Sequence, residues 1–143
     1  MIKETSFPVR YAETDQMGIV HHSVYPVWFE CGRTEFIKQF GMPYDILEKE
    51  GLMLPLISLS CEYKTPIFYG ETALIKTKLA KATKVRLELS YEVYSLERNI
   101  LCTTGNTVHV WTSTDLKPVN IAKYKPEIYE RLLPMYNSIL GEK

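Results

Sequence analysis

Apolar residues recur along this chain at two different periods. Between Ser23 and Phe40, the residues Tyr25, Phe29, Gly32, Phe36 and Phe40 follow one another at spacings of four, three, four and four. That is one continuous face at the helical repeat, so the spacing predicts a long helix here, stopped by Gly41 and Pro43. Ser23 reads as its N-cap, and Pro26 falls within the first turn, where a missing N–H removes no intrahelical bond. Gly32 is out of character on an apolar helical face, because glycine in a helix costs about 1 kcal/mol relative to alanine. Close approach to a packed layer is the expected compensation. A second, short helix is predicted over Tyr44 to Glu50, ended by Gly51.

From Leu54 to Ser113 the period changes to two. Val85, Leu87, Leu89, Tyr91 and Val93 alternate with Arg86, Glu88, Ser90, Glu92 and Tyr94, the pattern of a half-buried antiparallel strand. Leu54 to Tyr63, Leu74 to Ala80 and Leu101 to Thr112 read as further strands. The punctuation between them is a break at Lys64-Thr65-Pro66, a turn at Tyr69-Gly70, and two polar hairpin turns, Lys81 to Lys84 and Glu97-Arg98-Asn99. Upstream of the long helix, a short extended piece is expected at Pro8 to Tyr11, followed by the turn-rich Glu13-Thr14-Asp15-Gln16-Met17-Gly18. A last helix, Pro126 to Leu140, closes the pattern. One apolar helix must therefore cover one face of an antiparallel sheet, an α+β layering in which the sheet curls around the helix. Its exposed edge strands favour association by strand pairing.

Composition narrows the picture. At 143 residues and 45% hydrophobic, the chain suits one well-buried core, and residues 1–143 are read as one domain. Lys plus Arg number 17 and Asp plus Glu number 17, so no global field attracts nucleic acid or an anionic membrane surface. A local basic patch for one phosphorylated ligand stays open. The N-terminus has no basic segment followed by an apolar run, and no stretch approaches a membrane span, so a cytoplasmic location is expected. Cys31, Cys61 and Cys102 are odd in number and unpaired by spacing, which predicts inert buried thiols in a reducing compartment.

Chemistry concentrates in Thr14 to Tyr25, which joins the first extended piece to the N-terminus of the long helix. Helix starts carry free N–H groups and partial positive charge. If Asp15 and such donors face one pocket, a carbonyl oxygen is held by the donors while the carboxylate acts at its carbon, an oxyanion-hole arrangement for acyl transfer. Gly18 lets the backbone turn tightly beside a ligand. Other chemistries lack their signatures. His21 and His22 are adjacent and match no zinc spacing with His109 or Asp15, so no metal site is expected. There is no G-x-S-x-G elbow and no glycine-rich phosphate loop. Glu30 and Arg33, three apart on the helix, are expected to pair with each other.

The string Asp15-x-x-Gly18-Ile19-Val20-x-His22-x-x-Tyr25, followed by Phe29-Glu30 and Arg33, then by Pro66, Tyr69-Gly70-Glu71, Gly105 and His109-Val110, resembles the hot-dog acyl-CoA thioesterases of the 4-hydroxybenzoyl-CoA and YbgC-like type. The resemblance implies a five- to six-stranded antiparallel sheet wrapped around a long helix, and homodimers, often paired into tetramers, with active sites at subunit interfaces. It implies that Asp15 is the catalytic carboxylate, attacking the thioester carbonyl or activating water, and that the backbone N–H of His22 polarises that carbonyl. The His22 imidazole would assist in positioning, and Gly18, Val20 and Tyr25 would shape the substrate pocket. Acyl-CoA is the implied substrate, with no metal or organic cofactor. Two rivals remain: a thioesterase acting on acyl groups held by acyl carrier protein, which would use the same residues, and a noncatalytic acyl-CoA-binding module that has kept the fold, against which an intact Asp15 argues.

Overall fold

A computed structural model of the chain describes residues 1–140. Five strands, β1 (Lys3–Pro8), β2 (Leu56–Tyr63), β3 (Thr72–Ala82), β4 (Arg86–Ser95) and β5 (Ile100–Val110), form one antiparallel sheet in the order β1-β3-β4-β5-β2. The long helix α1 (Val24–Lys38) lies across its concave face against β1, β3, β4 and β2, and α2 (Tyr44–Lys49) follows it. This is the hot-dog architecture that the resemblance implied.

The two periodicities meet in the core. Tyr25, Trp28, Phe29, Phe36 and Ile37 of α1 are buried against Ile75 and Leu79 of β3 and against Leu87, Leu89, Tyr91 and Val93 of β4. Phe29 stacks on Tyr91 with ring centroids 4.5 Å apart. Gly32 has the role its position predicted: a Cβ there would overlap Thr77 Oγ1 and stand 3.2 Å from Ile75 Cγ2. Gly105 is its counterpart on the sheet, where a Cβ would run into the Phe29 ring and lie 2.8 Å from the Ser60 carbonyl. Helix and sheet thus touch nearly backbone to side chain at two points.

Several boundaries differ from the sequence reading. The first strand is Lys3–Pro8, not Pro8 to Tyr11, and it pairs Lys3 with Thr77 through Pro8 with Thr72. Lys3-Glu4-Thr5-Ser6 lacks an apolar alternation because it is an edge strand whose inward contact is chiefly Phe7, stacked near Trp28. Tyr11–Glu13 instead form a turn of 3₁₀ helix, with the Arg10 N–H donating to the Glu13 carboxylate at 2.8 Å. Strand β2 starts at Leu56, two residues late, after Pro55. A short helix α3 (Ile121–Tyr124), absent from the sequence reading, comes first, and the predicted helix Pro126 to Leu140 is split into α4 (Pro126–Arg131) and α5 (Leu133–Leu140). Pro134 has no N–H for the Glu130 carbonyl and its ring crowds that turn, so the helix breaks at Leu132. Among the described residues no helix is long and apolar enough to cross a membrane. The three cysteines are free, but only Cys102 is fully buried; Cys31 and Cys61 are half-buried, and desolvation raises all three thiols above their ordinary range.

Candidate active site

Between β1 and α1 the chain makes a compact loop closed on itself. Thr14 pairs with Val20, the Asp15 N–H donates to the Ile19 carbonyl at 2.8 Å, and the Gly18 N–H donates to the Asp15 carbonyl at 3.0 Å. The reversal needs Gly18 at φ +79°, a left-handed conformation that other residues adopt at a cost. Asp15 helps to close its own loop: Oδ1 accepts the Met17 N–H at 2.8 Å and, more weakly, the Ile19 N–H at 3.4 Å. Among the described residues Oδ2 accepts no hydrogen bond, so one carboxylate oxygen is fixed and the other is left for a ligand.

The start of α1 differs from expectation. Ser23 already has helical backbone angles, φ −71° and ψ −14°, and its hydroxyl caps nothing. The His21 ring takes over, with Nδ1 accepting the Ser23 N–H at 3.1 Å and lying 2.8 Å from Ser23 Oγ. The His21 N–H donates to the Glu13 carbonyl at 2.9 Å and the Val24 N–H to the His21 carbonyl at 3.0 Å. His22, between these satisfied neighbours, has a backbone N–H that donates no hydrogen bond among the described residues. Its carbonyl is held by the Tyr63 hydroxyl at 3.0 Å, which fixes the peptide on its C-terminal side. The His22 imidazole is exposed and lies 4.1 Å, centroid to centroid, from that of His21.

These groups share a cavity of about 330 Å³ lined by Asp15, Val20, His22 and Tyr25, with Met17, Ile19 and Tyr63 to Pro66 completing the wall. Four of the five residues selected from the sequence therefore converge; Gly18 shapes the loop without lining the cavity. Tyr25 is buried and packs edge-on against Trp28 and Tyr63. Burial pushes its phenol up to about 12, so it is a neutral hydroxyl across the working range. Sequence reasoning missed Tyr63, Lys64 and Thr65 as cavity residues and gave Pro66 only as part of the motif string, because this stretch otherwise carries only the signal of a strand break.

Larger cavities of about 470, 610, 450 and 360 Å³ exist, and none of them is lined by Asp15. The first runs along α1 past Glu30, Arg33 and His109; the second lies over β2 to β5 beside Lys76 and Glu92. Arg33 and Glu30 approach to 3.9 Å, a loose version of the expected pair. His109 is buried in a chain of hydrogen bonds. Its Nδ1 lies 3.3 Å from the Leu54 carbonyl, which only accepts, so Nδ1 carries the proton and Nε2 accepts from Thr107 Oγ1 at 2.9 Å. Thr107 Oγ1 in turn meets the Tyr91 hydroxyl at 2.7 Å. The 330 Å³ cavity is the candidate active site because an uncommitted carboxylate oxygen and an uncommitted helix-start N–H are both available there.

The model of the thioesterase-like superfamily matches residues 9–132, which take in strands β2 to β5, α1 and the cavity. The chain belongs to that superfamily. A Bacillus subtilis (strain 168) protein named "Putative acyl-CoA thioesterase YneP" is 35% identical over 127 residues, covering 88% of this chain and 91% of that one. The structure of a DHNA-CoA thioesterase from Staphylococcus aureus superposes with a TM-score of 0.91 at 34% identity, covering 99% of this chain and 95% of that chain. The TT1821 protein of Thermus thermophilus superposes with a TM-score of 0.84 at 33% identity, over 94% and 98% of the two chains. The motif resemblance was thus a family relationship, and this protein is a thioesterase of the hot-dog kind.

Proposed function

We propose that the protein hydrolyses acyl-CoA thioesters to the free acid and CoA, using Asp15 and the backbone N–H of His22 as the reacting pair. The single observation that carries this reading is the pairing, at one cavity, of an Asp15 Oδ2 without a hydrogen bond and a His22 N–H without an acceptor. In the mechanism, the thioester oxygen accepts the His22 N–H at the start of α1, where the helix dipole adds partial positive charge as the oxyanion forms. Asp15 Oδ2 then either takes a proton from an attacking water or adds to the carbonyl carbon itself; in both routes the tetrahedral intermediate collapses with loss of the CoA thiolate, giving the free acid directly in the first and an Asp15–acyl anhydride in the second, which a water then hydrolyses to release the acid and restore the carboxylate. A thioester is already activated, so one carboxylate and one oxyanion donor suffice, and the proposal includes no metal or organic cofactor. Val20, Tyr25 and Tyr63 border the acyl group, and the exposed His22 imidazole helps to place the substrate or water. The names of the Bacillus and Staphylococcus relatives support CoA as the carrier.

The same reading includes a homodimer. Strand β2 ends the sheet, and Leu56, Ile57, Leu59 and Tyr63 along it are exposed. Pairing β2 with the β2 of a second copy covers these side chains and brings another wall to the cavity at Tyr63.

The test is release of CoA thiol from a panel of aromatic, short-chain and long-chain acyl-CoAs. Asp15→Asn is expected to lower kcat by about 100-fold or more with the fold and oligomeric mass unchanged. Equal turnover by the variant removes Asp15 from the mechanism. A wild type that cleaves no acyl-CoA directs attention to acyl carrier protein thioesters or to a binding role.

A further inference from the structure

The hairpin turn Glu97-Arg98-Asn99, read from the sequence only as a polar connection, reaches back across the molecule. Arg98 forms a bidentate pair with Glu71, Nε to Oε2 at 2.6 Å and Nη2 to Oε1 at 2.9 Å, and Nη2 also donates to the Pro66 carbonyl at 2.7 Å. Its guanidinium lies 5.3 Å from the centroid of the Phe68 ring. The Glu71 carboxylate accepts two more bonds, from Ser95 Oγ at 2.6 Å and from the Phe68 N–H at 2.8 Å. Next to Arg98, the Glu97 carboxylate accepts the N–H and the hydroxyl of Thr72, each at 2.7 Å. The segment 66–70 is not part of a strand, so these side chains supply partners that a sheet ladder would otherwise supply.

The same segment is what the Asp15 loop rests on. The Val20 N–H donates to the Ile67 carbonyl at 2.9 Å, the Tyr69 N–H donates to the Gly18 carbonyl at 3.3 Å, and Ile19 pairs with Phe68 as an isolated bridge. Tyr69 also meets Tyr11 edge-on at 5.7 Å, and Pro66 lines the cavity itself. We propose that Arg98 and Glu71 are positioning residues, which fix the 66–70 segment as the template on which the Asp15–Val20 loop is laid and so set the Asp15 carboxylate relative to the His22 N–H. The proposal presupposes that Asp15 and His22 are the reacting pair. Bidentate, charge-assisted bonds suit this task because they specify orientation as well as contact. Ile67 is fully buried independently of the pair, so losing Arg98 frees the segment without removing its anchor in the core.

The experiment compares wild type with Arg98→Met, Arg98→Lys, Glu71→Gln, the Arg98→Met/Glu71→Gln double variant and Asp15→Asn. Two quantities are measured on each: kcat and KM for an acyl-CoA, and hydrogen exchange in peptides carrying Val20 and, as a core reference, Leu89. Arg98→Met is expected to speed exchange at Val20 by about tenfold with Leu89 unchanged. Its kcat falls by about tenfold while KM stays within about twofold, because misplacement of a reacting group lowers the rate more than binding. Arg98→Lys recovers part of both effects, since one ammonium meets Glu71 but does not reproduce the fork to Pro66. The double variant is no worse than either single one. If Arg98→Met does not fold, Arg98→Lys and Glu71→Gln carry the same comparison. A kcat within about twofold of wild type in these variants, or unchanged protection at Val20, overturns the positioning role. Asp15→Asn separates the two layers: if it is inactive while the Arg98 and Glu71 variants match wild type, the positioning role alone falls, and if it turns over normally, both readings fall.

Discussion

His109 sits inside the sheet with both ring nitrogens engaged, and burial, with Arg33 nearby, pushes it down from 6.5 to about 4. Its folded value lies below its unfolded one, so the unfolded chain binds the proton more readily, and stability falls as pH drops from about 6.5 to about 4. Glu71 behaves differently, because the hydrogen bonds from Arg98 hold it at about 2. Its contribution is complete above about 4.5 and is lost only as pH falls toward 2. Acid destabilisation therefore comes in two ordered stages. Urea unfolding at a series of pH values is expected to show a loss of roughly 3 kcal/mol between pH 6.5 and 4 that His109→Gln removes, with a further loss below that which Glu71→Gln removes. If the two variants lose stability with pH as wild type does, neither group is the source. His109 shows the limit of reading single residues from the sequence. A histidine on a strand has the same letter whether it ligates, catalyses or is locked neutral, and only the Leu54 carbonyl, 55 positions away, distinguishes the cases.

Elements were more legible than residues, and for a physical reason. Helix α1 and strand β4 bury one face each, so their period is written in the sequence and their burial follows it residue by residue. β1 is misplaced because an edge strand needs little apolar alternation, and the break of the C-terminal helix at Leu132 is missed because the apolar periodicity continues past Pro134 regardless of the broken backbone. The candidate site was legible on its helix side, in Asp15, His22 and Tyr25, since local order along the chain brings them together. Its other wall, Tyr63 to Pro66, comes from a strand end whose approach to His22 is purely tertiary. Gly32 gives the element scale its test. Gly32→Ala gains about 1 kcal/mol of helix propensity, yet the added methyl overlaps Thr77 Oγ1, and a net destabilisation of about 1–3 kcal/mol is expected. Pairing it with Thr77→Ala removes the overlapping hydroxyl, so the double variant should be markedly less destabilised than the sum of the two single ones. Additive losses in thermal or urea unfolding count against a tight contact at this crossing.

At the scale of the whole molecule, the sheet has two unlike edges. β1 exposes Glu4, Ser6 and Pro8, whereas β2 exposes Leu56, Ile57, Leu59 and Tyr63. A self-association through β2 predicts that a charge placed there is felt as a change of mass. Ile57→Lys is expected to shift the sedimenting species toward a 16.6 kDa monomer and to lower turnover with it. An unchanged mass in that variant removes β2 as the contact.

The loop that carries Asp15 is held almost wholly by main-chain bonds: Asp15 to Ile19, Gly18 to Asp15, Val20 to Ile67 and Tyr69 to Gly18. Main-chain bonds do not depend on which side chain is attached, apart from the left-handed turn at Gly18. Met17 and Ile19, whose side chains border the cavity, are consequently replaceable parts. On the proposed reading, exchanging them changes which acyl group fits while the carboxylate and the helix start stay where they are. If that reading holds, substrate fit and reaction chemistry are carried by separate parts of one short loop, and either can be altered without rebuilding the other.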